Sequence, residues 1–317
     1  MARQVVVLGG TGFVGRAFAA RCAAHGMKWH LRVATRRLVH GAVLRPLPGL
    51  DLVEADVHDP QALARVVGGA DAVVNLVAIL HGRAADFQRV HVDLPRAIGT
   101  ACRAAGVGRL IHVSALGVGP QAPSMYLRSK TDGELALREA GPAPTILRPS
   151  VVFGDEDRFL NLFAGLQALS PFVPLPCASA LLQPVWVRDL AQALVCCAER
   201  PETAGQVYEV AGPEVFTLRE LVRLAGRRAG HERPVIGLPA ALGELQAWVL
   251  EHVPGGPLMS RDNLRSMRVP NVATGTLPGL ADLGIAASSI AAAWGNDRAP
   301  ELLADELGRW RADRGAR

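Results

Sequence analysis

Three side chains in this sequence have the types and spacing for proton transfer at a carbonyl. Ser114 closes an apolar run, and Tyr126 and Lys130 follow four residues apart in Tyr126-Leu127-Arg128-Ser129-Lys130. Four residues is about one helical turn, so tyrosine and lysine share a face. A lysine ammonium beside a phenol lowers its pKa and makes it a usable general acid, while a serine hydroxyl holds the carbonyl. Tyrosine and lysine at this spacing also arise by chance, so the trio carries weight only beside a second constellation. Gly9-Gly10-Thr11-Gly12-Phe13-Val14-Gly15 joins an apolar run to a helical pattern. Residues without a β-carbon permit a tight turn there and let main-chain amides approach a pyrophosphate, whose charge is favoured at a helix N-terminus. Gly15 lets that helix lie close to the strand. The motif lacks a Gly-Lys-Ser/Thr ending and is not a P-loop. Residues Gly9 to Gly15 are therefore expected to hold a dinucleotide.

About twenty residues past such a fingerprint, a site preferring NAD places a carboxylate on the adenosine ribose. This sequence offers Thr35-Arg36-Arg37 instead. A guanidinium suits a 2′-phosphate and does nothing comparable for a hydroxyl, so NADP(H) is favoured over NAD(H). The alternative is that Arg36 and Arg37 are solvated surface charge. Asp56-Val57 is expected beside the adenine, with an ordinary acidic turn as the alternative.

These residues need a scaffold, and the apolar pattern supplies one. Strands are expected at Gln4 to Leu8, His30 to Ala34, Leu50 to Ala55, Ala72 to Leu76, Arg109 to Ser114 and Pro144 to Leu147. Helices alternate with them at Phe13 to His25, Leu94 to Ala105 and Tyr126 to Ala140. That alternation predicts an α/β, Rossmann-like doubly wound parallel sheet. Beyond Arg148 the prolines 171, 174, 176 and 184 break the chain into short pieces. Pro184 to Val187 and a helix from Asp189 to Glu199 are expected to return to the sheet. Thr217, three residues before Glu220, opens a capped helix to Gly230. Leu238 to Val253 reads as an amphipathic helix whose Trp248, Leu250 and Val253 belong in the core. The expected division is a nucleotide-binding domain over 1–155, joined by 183–210, and a smaller, mainly helical C-terminal lobe from 156–182 and 211–317.

Composition narrows the function classes. The net charge of +5 is spread along the chain rather than gathered in a stripe interleaved with aromatics, which argues against nucleic acid. A mildly basic chain can still rest on an anionic membrane surface or an acidic subunit. No apolar stretch reaches the ~20 residues of a membrane span, and the N-terminus enters a strand pattern directly, so the chain is expected to stay where it is made, in the cytoplasm. Cys22, Cys102, Cys177, Cys196 and Cys197 form no C-x-x-C pair and are expected as reduced, buried thiols. The nine histidines show no ligand spacing, so no metal is expected.

Taken together, the glycine turn, Ser114, Tyr126 and Lys130 resemble the extended short-chain dehydrogenase/reductase superfamily. Arg148-Pro149-Ser150 and Pro184-Val185-Trp186-Val187-Arg188-Asp189 fit that resemblance. Residues Arg148 to Asn161 are similar to the signature of the NADPH-binding accessory subunit of respiratory complex I and its bacterial relatives. The tail, with Ser260-Arg261-Asp262 and Leu277 to Ile285, resembles the family's end. The resemblance implies NADPH held by Gly9, Gly12, Gly15 and Arg36, with Tyr126 and Lys130 near the nicotinamide ribose and Pro149 also in the nucleotide site. It implies complex I subunits as partners and a peripheral position on the inner membrane face. One departure is His91, where extended reductases commonly carry asparagine, which bears on their usual proton relay. An active NADP(H)-dependent reductase, epimerase or dehydratase on a small carbonyl or sugar-like substrate stands as the alternative function, and Asp155, Glu156 and Asp157 could bind such a sugar or simply face water. A redox-sensing regulator is a third.

Overall fold

The computed structural model describes residues 3–24, 29–253 and 259–296. Six strands in the first half, β1 (Arg3–Leu8), β2 (Trp29–Thr35), β3 (Leu50–Glu54), β4 (Ala72–Asn75), β5 (Arg109–Val113) and β6 (Thr145–Pro149), are joined by a seventh at Val207–Val210. They form one sheet in the order seventh-β6-β5-β4-β1-β2-β3, every neighbouring pair parallel. This is the Rossmann-like architecture expected from the alternation of strands and helices.

Both faces of the sheet are covered, which is why its strands read as unbroken apolar runs. Side chains alternate along a strand. Val5 and Val7 therefore pack with Phe18 and Cys22 of α1 (Phe13–Ala24) and with Leu190 and Leu194 of the Val187–Glu199 helix. Val6 and Leu8 pack on the opposite face, with Leu63 and Val66 of α2 (Pro60–Val67) and with Ile98 and Leu137. The reversal of strand order falls between β1 and β4, the place where open α/β sheets leave a crevice beyond their carboxyl ends.

One expected piece lies elsewhere. Val185–Trp186 does not enter the main sheet but pairs with Val152–Phe153 in a small parallel ribbon, and Val207–Val210 takes the place beside β6. The chain leaves the main sheet after Pro149 because Asn271 captures the next turn: its Oδ1 accepts from Ser150 Oγ (2.7 Å) and Val151 N (2.9 Å).

A separate apolar cluster gathers Phe153, Leu160 and Phe163 with Leu218, Leu221 and Val222 and with Ile290 and Ala293. The Leu218–Arg228 helix starts as the sequence predicts, with Thr217 Oγ1 accepting from Glu220 N and Glu220 accepting from Thr217 N. The helix expected over Leu238 to Val253 runs Ala240–Glu251, and its stripe points the wrong way for a core. It buries only Gly243 and Ala247, while Leu242, Leu245, Trp248, Val249 and Val253 face solvent. Gly243 lies so close to Pro176 that a β-carbon would sit 2.7 Å from that ring's Cβ. The close approach places the small residues inward and leaves the large ones outside. The core placement of Trp248, Leu250 and Val253 is thereby corrected: Leu250 is only partly buried.

The five cysteines are free thiols, buried except for half-exposed Cys177. No helix among the described residues is long and apolar enough to cross a membrane, and no cluster of potential metal ligands occurs among them.

Candidate functional site

The glycine turn lies at the carboxyl end of β1. Gly9 takes φ +79°, a region costly for any residue with a β-carbon, and such a carbon would stand 3.1 Å from the backbone of Leu76 and Val77 after β4. The turn therefore sits directly against the switch point. Gly12 N donates to Gly9 O (3.1 Å) and Arg16 N to Gly12 O (2.9 Å), which starts α1. A β-carbon on Gly15 would lie 2.4 Å from Gly10 Cα, so helix and turn touch as the fingerprint requires. The Arg16 guanidinium donates to Thr11 O (2.9 Å) and pairs with Glu156, locking the loop from outside. Gly10 abuts Val7 and Val33 of the sheet. The Phe13 ring and Val14 are used in packing, Phe13 against Gly154. These features fit a dinucleotide whose pyrophosphate is met by main chain.

At the adenosine end, Thr35 Oγ1 donates to Arg37 O (3.0 Å) and shapes the turn carrying Arg36 and Arg37, both exposed. His58, nearby, is held below its ordinary pKa by burial, then by Arg89 and Arg36, with Asp56 opposing. Asp56 accepts from His58 N (3.0 Å), an Asx turn that uses one carboxylate oxygen, and Val57 packs against the sheet.

Ser114, Tyr126 and Lys130 gather around the end of β5, where Lys130 bonds to Val113 and Tyr126 packs against the cluster that contains Ala115. The Met125–Ala140 helix carries the pair, and Ser124 caps it by accepting from Leu127 N (3.2 Å). Lys130 is fully buried and donates to Val113 O (2.7 Å), the residue preceding Ser114. Burial holds its ammonium down at about 8, with Glu134 opposing. Glu134 in turn receives two hydrogen bonds from Arg148 (2.9 and 2.6 Å). Ser114 Oγ is buried without a hydrogen-bond partner among the described residues. Pro149 is buried, and its carbonyl accepts from Leu116 N (3.0 Å). The expected lowering of the Tyr126 phenol does not appear. Burial pushes it up to about 12, because its ring is walled by Phe87 and His91 while the Lys130 ammonium is turned to the Val113 carbonyl.

His91, where the relay asparagine was missing, has a positional role. Its Nε2 accepts from Ile79 N (3.1 Å), so Nδ1 carries the proton and faces Ser129 Oγ (2.8 Å), which donates to Tyr126 O (2.8 Å). Burial, and then Lys130, hold this imidazole neutral, down at about 3. Sequence reasoning singled out His91 only as a departure and missed Ser129. It also missed Asn75, which bridges His112 Nδ1 (3.0 Å) and Val77 N (3.1 Å). The acidic trio proves to be connective. Asp155 pairs with Arg228, Glu156 with Arg16, and buried Asp157 accepts from Leu160 N (2.6 Å) at the head of the Phe159–Leu169 helix.

Comparisons with known proteins agree with this geometry. The family described as the NAD dependent epimerase/dehydratase family matches residues 5–211. The mitochondrial NADH dehydrogenase (ubiquinone) 1 alpha subcomplex subunit 9 of Mus musculus is 32% identical over 289 residues, covering 88% of this chain and 75% of its own length. A ceramide reductase of Caulobacter vibrioides is 33% identical over 237 residues, 74% of this chain and 73% of the reductase. Among solved structures, a nucleoside-diphosphate-sugar epimerase from Staphylococcus aureus superposes with a TM-score of 0.73 at 15% identity, covering 91% of this chain and 98% of that one. A UDP-glucuronic acid 4-epimerase from Bacillus cereus, solved with UDP-glucuronic acid and NAD, gives 0.63 at 18% identity over 89% and 96%. At these identities the two structures show the fold alone. With a glycine turn at the switch point and a family match over most of the chain, this protein belongs to the NAD-dependent epimerase/dehydratase family.

Proposed function

We propose that this chain is an accessory or assembly protein of a respiratory NADH:quinone oxidoreductase that keeps NADP(H) bound in the crevice between β1 and β4. The turn Gly9, Gly10, Thr11, Gly12, Phe13, Val14 and Gly15 meets the pyrophosphate with main-chain amides. Arg36 and Arg37 take the 2′-phosphate, Asp56 and Val57 border the adenine, and Lys130 and Pro149 border the nicotinamide end. Residues 1–155 with 183–210 are the nucleotide half; the remainder is the docking half. The observation that carries the accessory role is the outward apolar stripe of the Ala240–Glu251 helix, where Leu245 is 56% and Trp248 49% exposed. A contiguous apolar face of this kind marks a surface for another protein. The occupant is a subunit of the respiratory assembly, since relatives covering most of this chain are named as such subunits. On this reading the chain lies peripherally at the membrane surface, against that assembly.

A second reading, an active NADP(H)-dependent reductase, is favoured by the unpartnered Ser114 hydroxyl beside Tyr126 and Lys130 and by the similarity to a ceramide reductase. A bound nicotinamide would supply the hydride. Ser114 would hold the carbonyl and Tyr126 would donate the proton.

One experiment separates the readings: purification from the native host, with mass spectrometry of bound nucleotide and co-eluting proteins. Identified respiratory-complex subunits with NADPH retained are the expected result. Rapid nucleotide exchange and carbonyl-dependent NADPH oxidation, without those subunits, would overturn the accessory role. For the coenzyme, Arg36→Ala is expected to weaken NADPH about tenfold or more, as loss of a charge-assisted contact does, and NADH hardly at all. Equal weakening of both would remove the phosphate assignment.

A further inference from the structure

Helices leave their first amides without intrahelical partners, and a buried helix start must find acceptors for them. At the Met125–Ala140 helix, Ser124 supplies one acceptor, to Leu127 N. The two preceding amides go to a residue far along the chain. Asp262 Oδ1 accepts from Met125 N (2.8 Å) and Asp262 Oδ2 from Tyr126 N (3.0 Å). Asp262 is buried, and a carboxylate there is favoured by the positive end of a 16-residue helix. Its own short helix, Arg261–Ser266, is fastened to the same place by Ser266 Oγ, 2.8 Å from Ser124 Oγ.

The same segment touches the site again. Val269 joins Ala115, Ala122 and Leu127 in the apolar cluster against which Tyr126 packs. Asn263 Nδ2 reaches Leu80 O (3.5 Å) on the loop following β4, and Asn271 holds the turn at Ser150 and Val151. Residues 260–271 thus connect the tyrosine's helix, the loop after β4 and the exit of β6.

We propose that Asp262 is a positioning residue: by gripping the amides of Met125 and Tyr126 it sets the placement of the Tyr126 side chain at the nicotinamide end of the crevice. The inference rests on the nucleotide-binding reading and adds a residue to it from outside the family match, which ends at residue 211. Because it acts on one end of the dinucleotide, its effect is separable from general destabilisation.

The test compares two ligands, NADPH and its adenosine fragment 2′,5′-ADP, by calorimetric titration of the full chain. Asp262→Asn keeps the shape and removes the charge. It is expected to weaken NADPH by about tenfold, the scale of a partly buried charge at a helix end, and to leave 2′,5′-ADP affinity unchanged. Tyr126→Phe combined with Asp262→Asn should lose no more than the larger single effect, since both act through one side chain. Parallel weakening of both ligands, unchanged NADPH binding, or additive losses would overturn the proposal. Should Asp262→Asn not fold, Ser266→Ala, which loosens the same segment, is read by the same ratio. Wild-type protein that binds neither ligand would defeat the nucleotide reading itself; wild-type binding with an unaltered ratio in the variant would defeat only the role of Asp262.

Discussion

Two helices of this molecule break the ordinary arrangement of side chains in opposite directions. The Met125–Ala140 helix turns polar groups inward: Ser129, Lys130 and Glu134 are buried while Leu135 is exposed. The Ala240–Glu251 helix turns apolar groups outward and buries glycine and alanine. Burying an ammonium is costly unless partners surround it, and here Val113 O accepts from Lys130 and Glu134, held by Arg148, opposes the effect of burial. Among the described residues nothing covers the tryptophan and aliphatic side chains of that stripe. On the function proposed above, the first inversion serves a ligand and the second a partner.

The contrast can be tested, beginning with the largest effect. A β-carbon at Gly133 would lie 1.8 Å from His91 O, backbone that cannot retreat without disturbing the π-helical turn Gln88–Asp93. Gly133→Ala is expected to cost more than about 3 kcal/mol, at the upper end for overpacking, measured as a fall in denaturation midpoint. A fall under 1 kcal/mol would show that this packing is loose.

Lys130 gives the next effect, and its sign is fixed by linkage. Its pKa is about 8 in the native protein and near 10.5 when exposed, so between those values the unfolded chain holds the proton that the native chain has lost. Lys130 therefore contributes stability that rises with pH across that window, by about 3 kcal/mol, against the fall imposed by the buried thiols of Cys22, Cys102 and Cys197, which are pushed up to about 12. In denaturant titrations at pH 7.5 and 10.5, the change in stability should be more positive by about that amount in the wild type than in Lys130→Met. Equal changes in the two proteins would assign the pH dependence to other groups.

The smallest effect belongs to the outward helix. Leu245→Ser with Trp248→Ser should change the stability of the isolated chain by no more than about 0.5 kcal/mol, as for ordinary surface positions. The same pair should abolish co-purification with respiratory subunits. A large loss of stability would mean that the stripe is covered within the chain.

Six strands of the main sheet and the helices beginning near Phe13, Leu94 and Tyr126 were legible to within two residues because their patterns are local, whereas the Pro60–Val67 helix and the strand Val207–Val210 were not foreseen. A pyrophosphate met by main chain demands residues without side chains at Gly9 and Gly15, and such residues are visible as letters. Tyr126 and Lys130 share a helical face by spacing alone. The partners that hold them were not legible. His91 and Ser129 are 38 residues apart, Asp262 and Tyr126 136, and Asn271 and Ser150 121. Nothing in the local pattern reveals such pairings. The acidic trio was visible as charge, but only packing showed that Arg16, Arg228 and a helix start receive it.

Local pattern alone specified six of the seven strands of the sheet, the glycine turn and the shared helical face of Tyr126 and Lys130, because periodicity and the absence of β-carbons act over a few residues. Tertiary structure alone decided which side of the Ala240–Glu251 helix faces water, where Val185–Trp186 pairs, and that Tyr126 is pushed up rather than down in pKa. An amphipathic pattern specifies a stripe but not what lies opposite it, and a phenol's proton responds to burial and to where a neighbouring charge is turned. Both are properties of contacts between distant segments.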